Sequence, residues 1–145
     1  MTTMTALTTQ VYSVFIRATP EQVWEAITKP EFTEQYFYGA RIDTRDGRRL
    51  TSVGDLEWNE DVLESEPPTK LVHTFTAAYD PDMGAEEPSR VTWELEPQEG
   101  GITKLTVVHD QLENAPKTAE SVAGGWMYIL SGLKTLLETG KPLAG

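Results

Sequence analysis

The chain has 145 residues, of which 39% are hydrophobic and none is cysteine. A chain of this length can form one domain with a sizeable core, and the lack of cysteine excludes disulfides, thiolate nucleophiles and cysteine-based metal sites. The 23 acidic and 12 basic residues give a net charge of −11, which argues against nucleic acid or an anionic membrane as a partner.

The excess negative charge lies in one region, residues 55–99, in which Lys70 and Arg90 are the only bases. We interpret this region as a solvated face of the fold, with an acidic docking surface for a basic partner as the alternative. Residues 1–9 lack the basic start and apolar stretch of a signal peptide, and no apolar run reaches the roughly 20 residues of a membrane-spanning helix. We therefore expect a flexible lead-in over 1–9, a single domain over 10–145, and a cytoplasmic location.

The first strand is predicted over residues 11–17, which are rich in β-branched and aromatic side chains. A helix should follow, because Thr19 can act as its N-cap, Pro20 suits the first helical position and Gln22 completes a capping box. Pro30 ends this helix. A second short helix with an apolar face is expected next.

Between residues 40 and 110 the hydrophobic pattern has a period of two, with turn signals at regular intervals. This pattern predicts five further strands, over residues 40–45, 54–64, 70–79, 89–96 and 102–110. The connections between these strands are too short for crossover helices, so the sheet should be antiparallel. We interpret the acidic loop 80–88 as solvated, with a lid over a binding site as the alternative.

After Pro116 the period returns to that of a helix, and an apolar stripe predicts a long amphipathic helix that Gly140 caps. The pair Gly124-Gly125 interrupts this stripe. Either the helix begins after the pair, or the pair lets backbone pass close to the sheet or a ligand and serves as a hinge. The predicted order of elements is β-α-α-β-β-β-β-β-α.

Several sequence motifs follow one another in a specific order and spacing. They are ATPEQVWEAITKP at 18–30, Gly54 with Trp58 and Val62, EPPTKLVHTF at 66–75, TKLTVVH at 103–109, Gly125-Trp126, and LKTLLETG at 133–140. Together these motifs resemble the SRPBCC, or START-like, superfamily. More narrowly, they resemble the branch related to the C-terminal domain of the activator of the 90-kilodalton heat-shock-protein ATPase.

This resemblance implies an α+β helix-grip fold for the domain over 10–145. In such a fold a curved antiparallel sheet of about six strands surrounds the long C-terminal helix, with a cavity between them. Members of the superfamily bind hydrophobic small molecules, act as polyketide cyclases or assist the heat-shock chaperone. They share no universal catalytic residue, so the resemblance assigns no catalytic residue to this chain.

Both histidines lie in predicted strands, where alternation places His73 on the face of Leu71 and Phe75 and places His109 on the inward face near a strand end. Each histidine could contact a ligand or act as an acid or base near neutral pH. The alternative that we favour is a structural histidine with a hydrogen-bond partner. Two histidines without a third ligand do not predict a metal site.

Glu60 shares the parity of Trp58 and Val62, which points its carboxylate inwards, where desolvation would raise its pKa. The alternative that we favour is a β-bulge that turns Glu60 outwards, or a position at the mouth of the cavity. The candidate cationic partners of Glu60 are Arg17, Arg41 and Arg45.

The inward-facing aromatic residues, with a few polar groups among them, have the composition of a ligand pocket. The candidate ligand-binding residues are Phe37, Trp58, Glu60, His73, Phe75, Trp93, His109, Trp126 and Leu130. The sequence contains no recognisable catalytic, cofactor-binding or metal-binding motif.

The leading hypothesis is therefore non-catalytic binding of a hydrophobic or aromatic small molecule between the last helix and the sheet, by a monomer or homodimer that needs no cofactor. One alternative is a cyclase-like or hydratase-like enzyme with His73, His109 or Glu60 as acid and base. Another alternative is a chaperone-associated protein that uses its acidic surface to contact a heat-shock ATPase.

Overall fold

The computed structural model describes residues 8–144, so most of the lead-in predicted over 1–9 lies outside the described residues. The helices and strands, in chain order, are β1 (Gln10–Ile16), α1 (Pro20–Thr28), α2 (Pro30–Thr33), β2 (Arg41–Arg45), β3 (Arg48–Val53), β4 (Leu56–Glu66), β5 (Lys70–Phe75), α3 (Pro81–Gly84), β6 (Ser89–Gln98), β7 (Ile102–Asp110) and α4 (Pro116–Thr139).

The described strands form one antiparallel sheet in the order β1-β7-β6-β5-β4-β3-β2. With α4 across one face and two short helices after β1, this is the α+β helix-grip architecture that the sequence predicts. The sheet has seven strands because a tight turn at Asp46-Gly47 joins β2 to β3, a strand that the sequence analysis did not identify. The following strand was also predicted two residues too early. Gly54, with a φ of 57°, belongs to the turn before Leu56.

Local sequence signals determine where α1 begins and ends. The Thr19 side chain accepts a hydrogen bond from the Gln22 backbone N–H at 3.2 Å, and the Gln22 side chain accepts one from the Thr19 N–H at 2.9 Å. This is the predicted capping box, which satisfies two of the donors that a helix N-terminus leaves unpaired. Helix α1 then ends at Thr28, ahead of Pro30, as predicted.

Helix α4 buries its apolar stripe against the sheet and α1, and Gly140 caps it in the left-handed conformation with a φ of 77°. The helix runs without a break through Gly124-Gly125, so the interpretation that it begins after this pair is wrong. Val122 precedes the pair and Trp126 follows it on the same buried face, and their packing offsets the helix-propensity cost of the two glycines.

The segment predicted as a solvated loop over 80–88 contains α3 and contacts the start of α4. The Glu86 carboxylate accepts hydrogen bonds from the backbone N–H groups of Lys117 and Thr118 and from the Thr118 hydroxyl. A carboxylate at this position caps the helix and interacts favourably with its dipole. Segment 80–88 is therefore attached to α4. Within residues 8–144, no helix combines the length and hydropathy that a membrane crossing requires.

Candidate functional site

A pocket of about 410 Å³ lies between α4 and the end of the sheet formed by β2, β3 and β4. The backbone of α4 comes closest to β1, α1 and α3, and it stays farther from β2, β3 and β4, which leaves space for the pocket. The deep wall is formed by buried side chains, among them Arg49, Glu60 and Trp93, whereas Tyr38 and Tyr79 at the mouth are 60% and 49% exposed. The pocket thus has a polar inner end and an aromatic entrance.

Aromatic contacts shape the entrance. Tyr38 stacks on Tyr128 of α4 with ring centroids 5.2 Å apart, and Trp58 lies 6.3 Å from Tyr79. Gly125 of α4 also lines the entrance. The one described atom within 4 Å of a β-carbon at this position would be the Tyr38 hydroxyl oxygen, at 3.8 Å. The absence of a side chain at Gly125 therefore keeps this part of the entrance open.

Glu60 points inwards from β4 and is only 6% exposed. Its Oε2 accepts a hydrogen bond from the Thr76 backbone N–H at 2.7 Å. Burial raises the pKa of Glu60 to about 7, against the opposing effects of this hydrogen bond and of Arg49. The interpretation that a bulge turns Glu60 outwards is wrong, because the irregularity in β4 lies between Val62 and Glu64, beyond Glu60.

Arg49, which the sequence analysis did not identify, lies directly opposite Glu60 on β3 and is 2% exposed. Its Nη1 donates hydrogen bonds to the Ile27 carbonyl and to the Thr44 hydroxyl, and its guanidinium lies 5.8 Å from the centroid of the Trp93 ring. Burial lowers the pKa of Arg49, but an arginine in a protein keeps its charge at neutral pH. Within residues 8–144, no carboxylate lies within ion-pair distance of Arg49.

The arginines proposed from the sequence as partners of Glu60 do not have that role. Arg41 pairs with Glu34 and Arg45 pairs with Asp43, while the backbone N–H of Arg17 bonds to Glu138. One signal could have found Arg49. Two consecutive arginines in a strand must face opposite sides of the sheet, so one of Arg48 and Arg49 has to point inwards.

Both histidines accept a hydrogen bond from a tryptophan. Trp93 Nε1 donates to His73 Nε2 at 2.9 Å, and Trp126 Nε1 donates to His109 Nδ1 at 3.0 Å. Because an indole nitrogen only donates, the other ring nitrogens carry the protons. His73 Nδ1 therefore donates to the Thr74 carbonyl at 2.8 Å, and His109 Nε2 donates to the Ser89 hydroxyl at 2.7 Å.

These contacts favour the neutral form of both histidines and use both ring nitrogens of each. Burial lowers the pKa of His109 to about 4 and lowers the pKa of His73 well below its ordinary value. Each ring nitrogen already has a partner, so the arrangement favours the structural role over acid–base chemistry for both residues. His73 forms part of the pocket wall, whereas His109 lies behind Trp126 and does not line the pocket.

Trp58 differs from the other two tryptophans of the inner face. Its Nε1 atom is buried and has no hydrogen-bond partner within the described part of the chain. A buried N–H group without a partner costs free energy, of the order of 1–3 kcal/mol.

The structure brings most of the predicted site residues together. Those that line the pocket are Phe37, Trp58, Glu60, His73, Phe75, Trp93 and Trp126. Leu130, on α4, belongs instead to the buried core, and His109 lies behind Trp126. Arg49, Tyr38 and Tyr79 are the main lining residues that the sequence analysis missed. Residues 8–144 contain no cluster of three or more metal-ligating side chains.

A family model described as "Activator of Hsp90 ATPase homolog 1-like protein" matches residues 17–138. No curated protein matches the chain significantly.

Solved structures with a similar fold cover nearly the whole chain. Protein MLL2253 from Mesorhizobium loti has 27% sequence identity and a TM-score of 0.72, with 90% of this chain and 96% of that chain covered. The Aha1 dimer from Colwellia psychrerythraea has 18% identity and a TM-score of 0.72, covering 93% and 99% of the two chains. DynU16, from the dynemicin biosynthetic locus, has 24% identity and a TM-score of 0.75, covering 93% and 49%.

Proposed function

The chain belongs to the family of Activator of Hsp90 ATPase homolog 1-like proteins, and we propose that it binds a hydrophobic or aromatic small molecule in the pocket between α4 and strands β2–β4, without catalysis. The observation that carries the proposal is the open space of about 410 Å³ beside the packed core. Small-molecule sites in proteins have volumes of about 300–1,000 Å³ and mostly apolar walls with a few polar groups.

The walls of the pocket suit a partly aromatic guest. Phe37, Phe75 and Trp126 offer apolar surface, and the tyrosines at the entrance offer flat faces with polar edges. Removing about 300 Å² of apolar ligand surface from water contributes about 7 kcal/mol before the costs of association. Because association costs several kcal/mol, we expect dissociation constants weaker than about 10 μM.

Binding can be tested with N-phenyl-1-naphthylamine, a neutral apolar fluorophore whose emission rises in an apolar site. We expect saturable binding to the purified protein, weakened at least about tenfold by Gly125→Leu, because the new side chain would occupy the entrance. Gly124→Leu is the matched control, since a β-carbon at the exposed Gly124 meets no atom within 4 Å. Equal binding by both variants, or no binding by the unmodified protein, would refute the proposal.

The natural ligand can be sought separately by native mass spectrometry of the protein purified from its own host. A co-purifying mass that Gly125→Leu abolishes and Gly124→Leu retains would identify the guest.

A second candidate function is association with an Hsp90-type ATPase, which the family membership favours. The acidic region 55–99 is its candidate contact surface, with Glu57, Glu94 and Glu96 among its exposed carboxylates. Contacts of this kind weaken as ionic strength rises. A salt-sensitive change in ATPase rate on mixing would support this function, and an unchanged rate would remove it.

A further inference from the structure

We infer that the pocket takes an organic acid, whose apolar body lies at the aromatic entrance and whose carboxylate or phenolate oxygen is held against Arg49. This inference rests on the proposed function and specifies the class of ligand.

The first argument is that, within residues 8–144, no carboxylate forms an ion pair with the buried Arg49. Both of its hydrogen bonds to protein atoms use Nη1, so within residues 8–144 Nε and Nη2 have no partner, although this side chain lines the pocket. A buried charge is tolerated when it is paired, and a guanidinium matches the planar geometry of a carboxylate. An anionic group on the ligand would supply the partner that the protein lacks.

The second argument is that the inner wall offers a ligand hydrogen-bond donors rather than free acceptors. Within residues 8–144, Nε and Nη2 of Arg49 are donors without a partner. The acceptor nitrogen of His73 is already used by Trp93. Glu60 also becomes a donor in its protonated form, which burial favours. A ligand that complements this wall has to bring acceptors, and an anionic oxygen is the strongest acceptor that an organic molecule can offer.

Glu60 makes this recognition depend on pH. The ionisable groups that line the pocket with Glu60 are Arg49 on β3, His73 on β5, and Tyr38 and Tyr79 at the entrance, while Tyr36 lies close to Arg49. Of these, Arg49 is charged and His73 is neutral at physiological pH. A protonated Glu60 leaves the Arg49 charge available to the ligand, whereas an ionised Glu60 competes with the ligand for it.

The test compares 2-naphthoic acid with its methyl ester, two probes with the same ring but a different charge, as competitors of N-phenyl-1-naphthylamine. At pH 6 we expect the acid to displace the fluorophore at a concentration at least about tenfold lower than the ester. The advantage of the acid should shrink at pH 8.5, where Glu60 is ionised. It should stay constant with pH in Glu60→Gln, which has no such titration.

Arg49→Met should abolish the advantage of the acid. Arg48→Met is the matched control, because Arg48 is the exposed neighbour that pairs with Asp61 on the other face of the sheet, and it should retain the advantage. If circular dichroism shows that Arg49→Met does not fold, the test depends on the unmodified protein alone. The measured quantity is then the ratio of the ester and acid concentrations that displace the fluorophore.

An ester that competes as well as the acid would overturn this inference and leave the proposed function intact. Failure of the fluorophore itself to bind would refute both.

Discussion

The inner face of the sheet has two regions, which differ in whether their buried polar groups have hydrogen-bond partners. In the covered region, formed by β5–β7 beneath α4, Trp93 and Trp126 each donate a hydrogen bond to a histidine. In the open region, formed by β2–β4 at the pocket, Arg49 has no carboxylate partner and the Trp58 indole N–H has no partner, within residues 8–144. The indole N–H groups of Trp93 and Trp126 therefore have partners within the protein, whereas Nε and Nη2 of Arg49 and Nε1 of Trp58 lack them within the same described residues.

This difference shows that the position of α4 decides the role of each side chain. Where α4 presses on the sheet, polar groups are buried among protein atoms and must find partners there. Where α4 leaves the sheet uncovered, Arg49 faces a pocket, and its unfilled hydrogen bonds reduce stability in exchange for binding capacity. Sites that bind ligands commonly reduce stability in this way.

The largest expected effect comes from truncating one tryptophan in each region. Trp126→Ala should lower the free energy of unfolding by about 4–5 kcal/mol, because it leaves a cavity and removes the donor to His109. Trp58→Ala should cost less than half as much, because the Trp58 side chain is partly exposed and makes no hydrogen bond within the described residues. Urea denaturation measures both values, and equal losses would contradict the division into two regions.

Acid should weaken the covered region through His109. The unfolded histidine takes up a proton near pH 6.5 and the folded one near pH 4, so the unfolded state binds more protons between these values and stability falls as the pH falls. The loss should reach about 3 kcal/mol at pH 4. His109→Gln should remove this component from the curve of unfolding free energy against pH, whatever its effect at neutral pH. A variant curve parallel to that of the unmodified protein would contradict the assignment.

Alkali should weaken the open region through Glu60. The unfolded carboxyl loses its proton near pH 4.5 and the folded one near pH 7, so the folded state holds the extra proton between these values and stability falls as the pH rises. The expected loss is about 3 kcal/mol above pH 7. Glu60→Gln should be more stable than the unmodified protein at pH 8, and the difference should shrink towards pH 4.5.

The Gln side chain can still accept the hydrogen bond from Thr76, which makes this substitution conservative in shape. Exposed Glu57→Gln on the same strand is the control, and it should change the pH dependence little. A similar change in both variants would mean that burial of Glu60 is not the cause.

Much of the fold follows from local signals in the sequence. The Thr19 and Gln22 capping box, the stop before Pro30 and the cap at Gly140 each depend on residues only a few positions apart. Strand β3 escaped because Arg48-Arg49 makes it polar and because the turn at Gly54 was merged with the strand that follows. A short strand of this kind is stabilised by its two neighbours in the sheet more than by its own composition.

The site could be predicted only as far as strand parity reaches. Parity correctly pointed Glu60, His73 and Trp58 inwards. Parity could not show that Glu60 lies opposite Arg49, because this requires the register of β3, which was not predicted. Nor could it separate His109 from the pocket, because Trp126 reaches that histidine from α4, 17 residues along the chain. The packing of a helix on a sheet is a long-range property that no local pattern encodes.

The smallest effect tests how closely α4 approaches the rest of the fold. A β-carbon at Gly132 would lie 3.1 Å from the Tyr36 β-carbon and 3.6 Å from the Tyr36 backbone, which leaves little freedom to adjust. Gly132→Ala should therefore destabilise the protein by about 1 kcal/mol, with crowding outweighing the gain in helix propensity. Gly124→Ala, in open space on the same helix, should instead stabilise it by about 0.5–1 kcal/mol. Thermal unfolding of the two variants should shift in opposite directions. Stabilisation by both would mean that α4 has room to move at Gly132 and does not pack tightly against Tyr36.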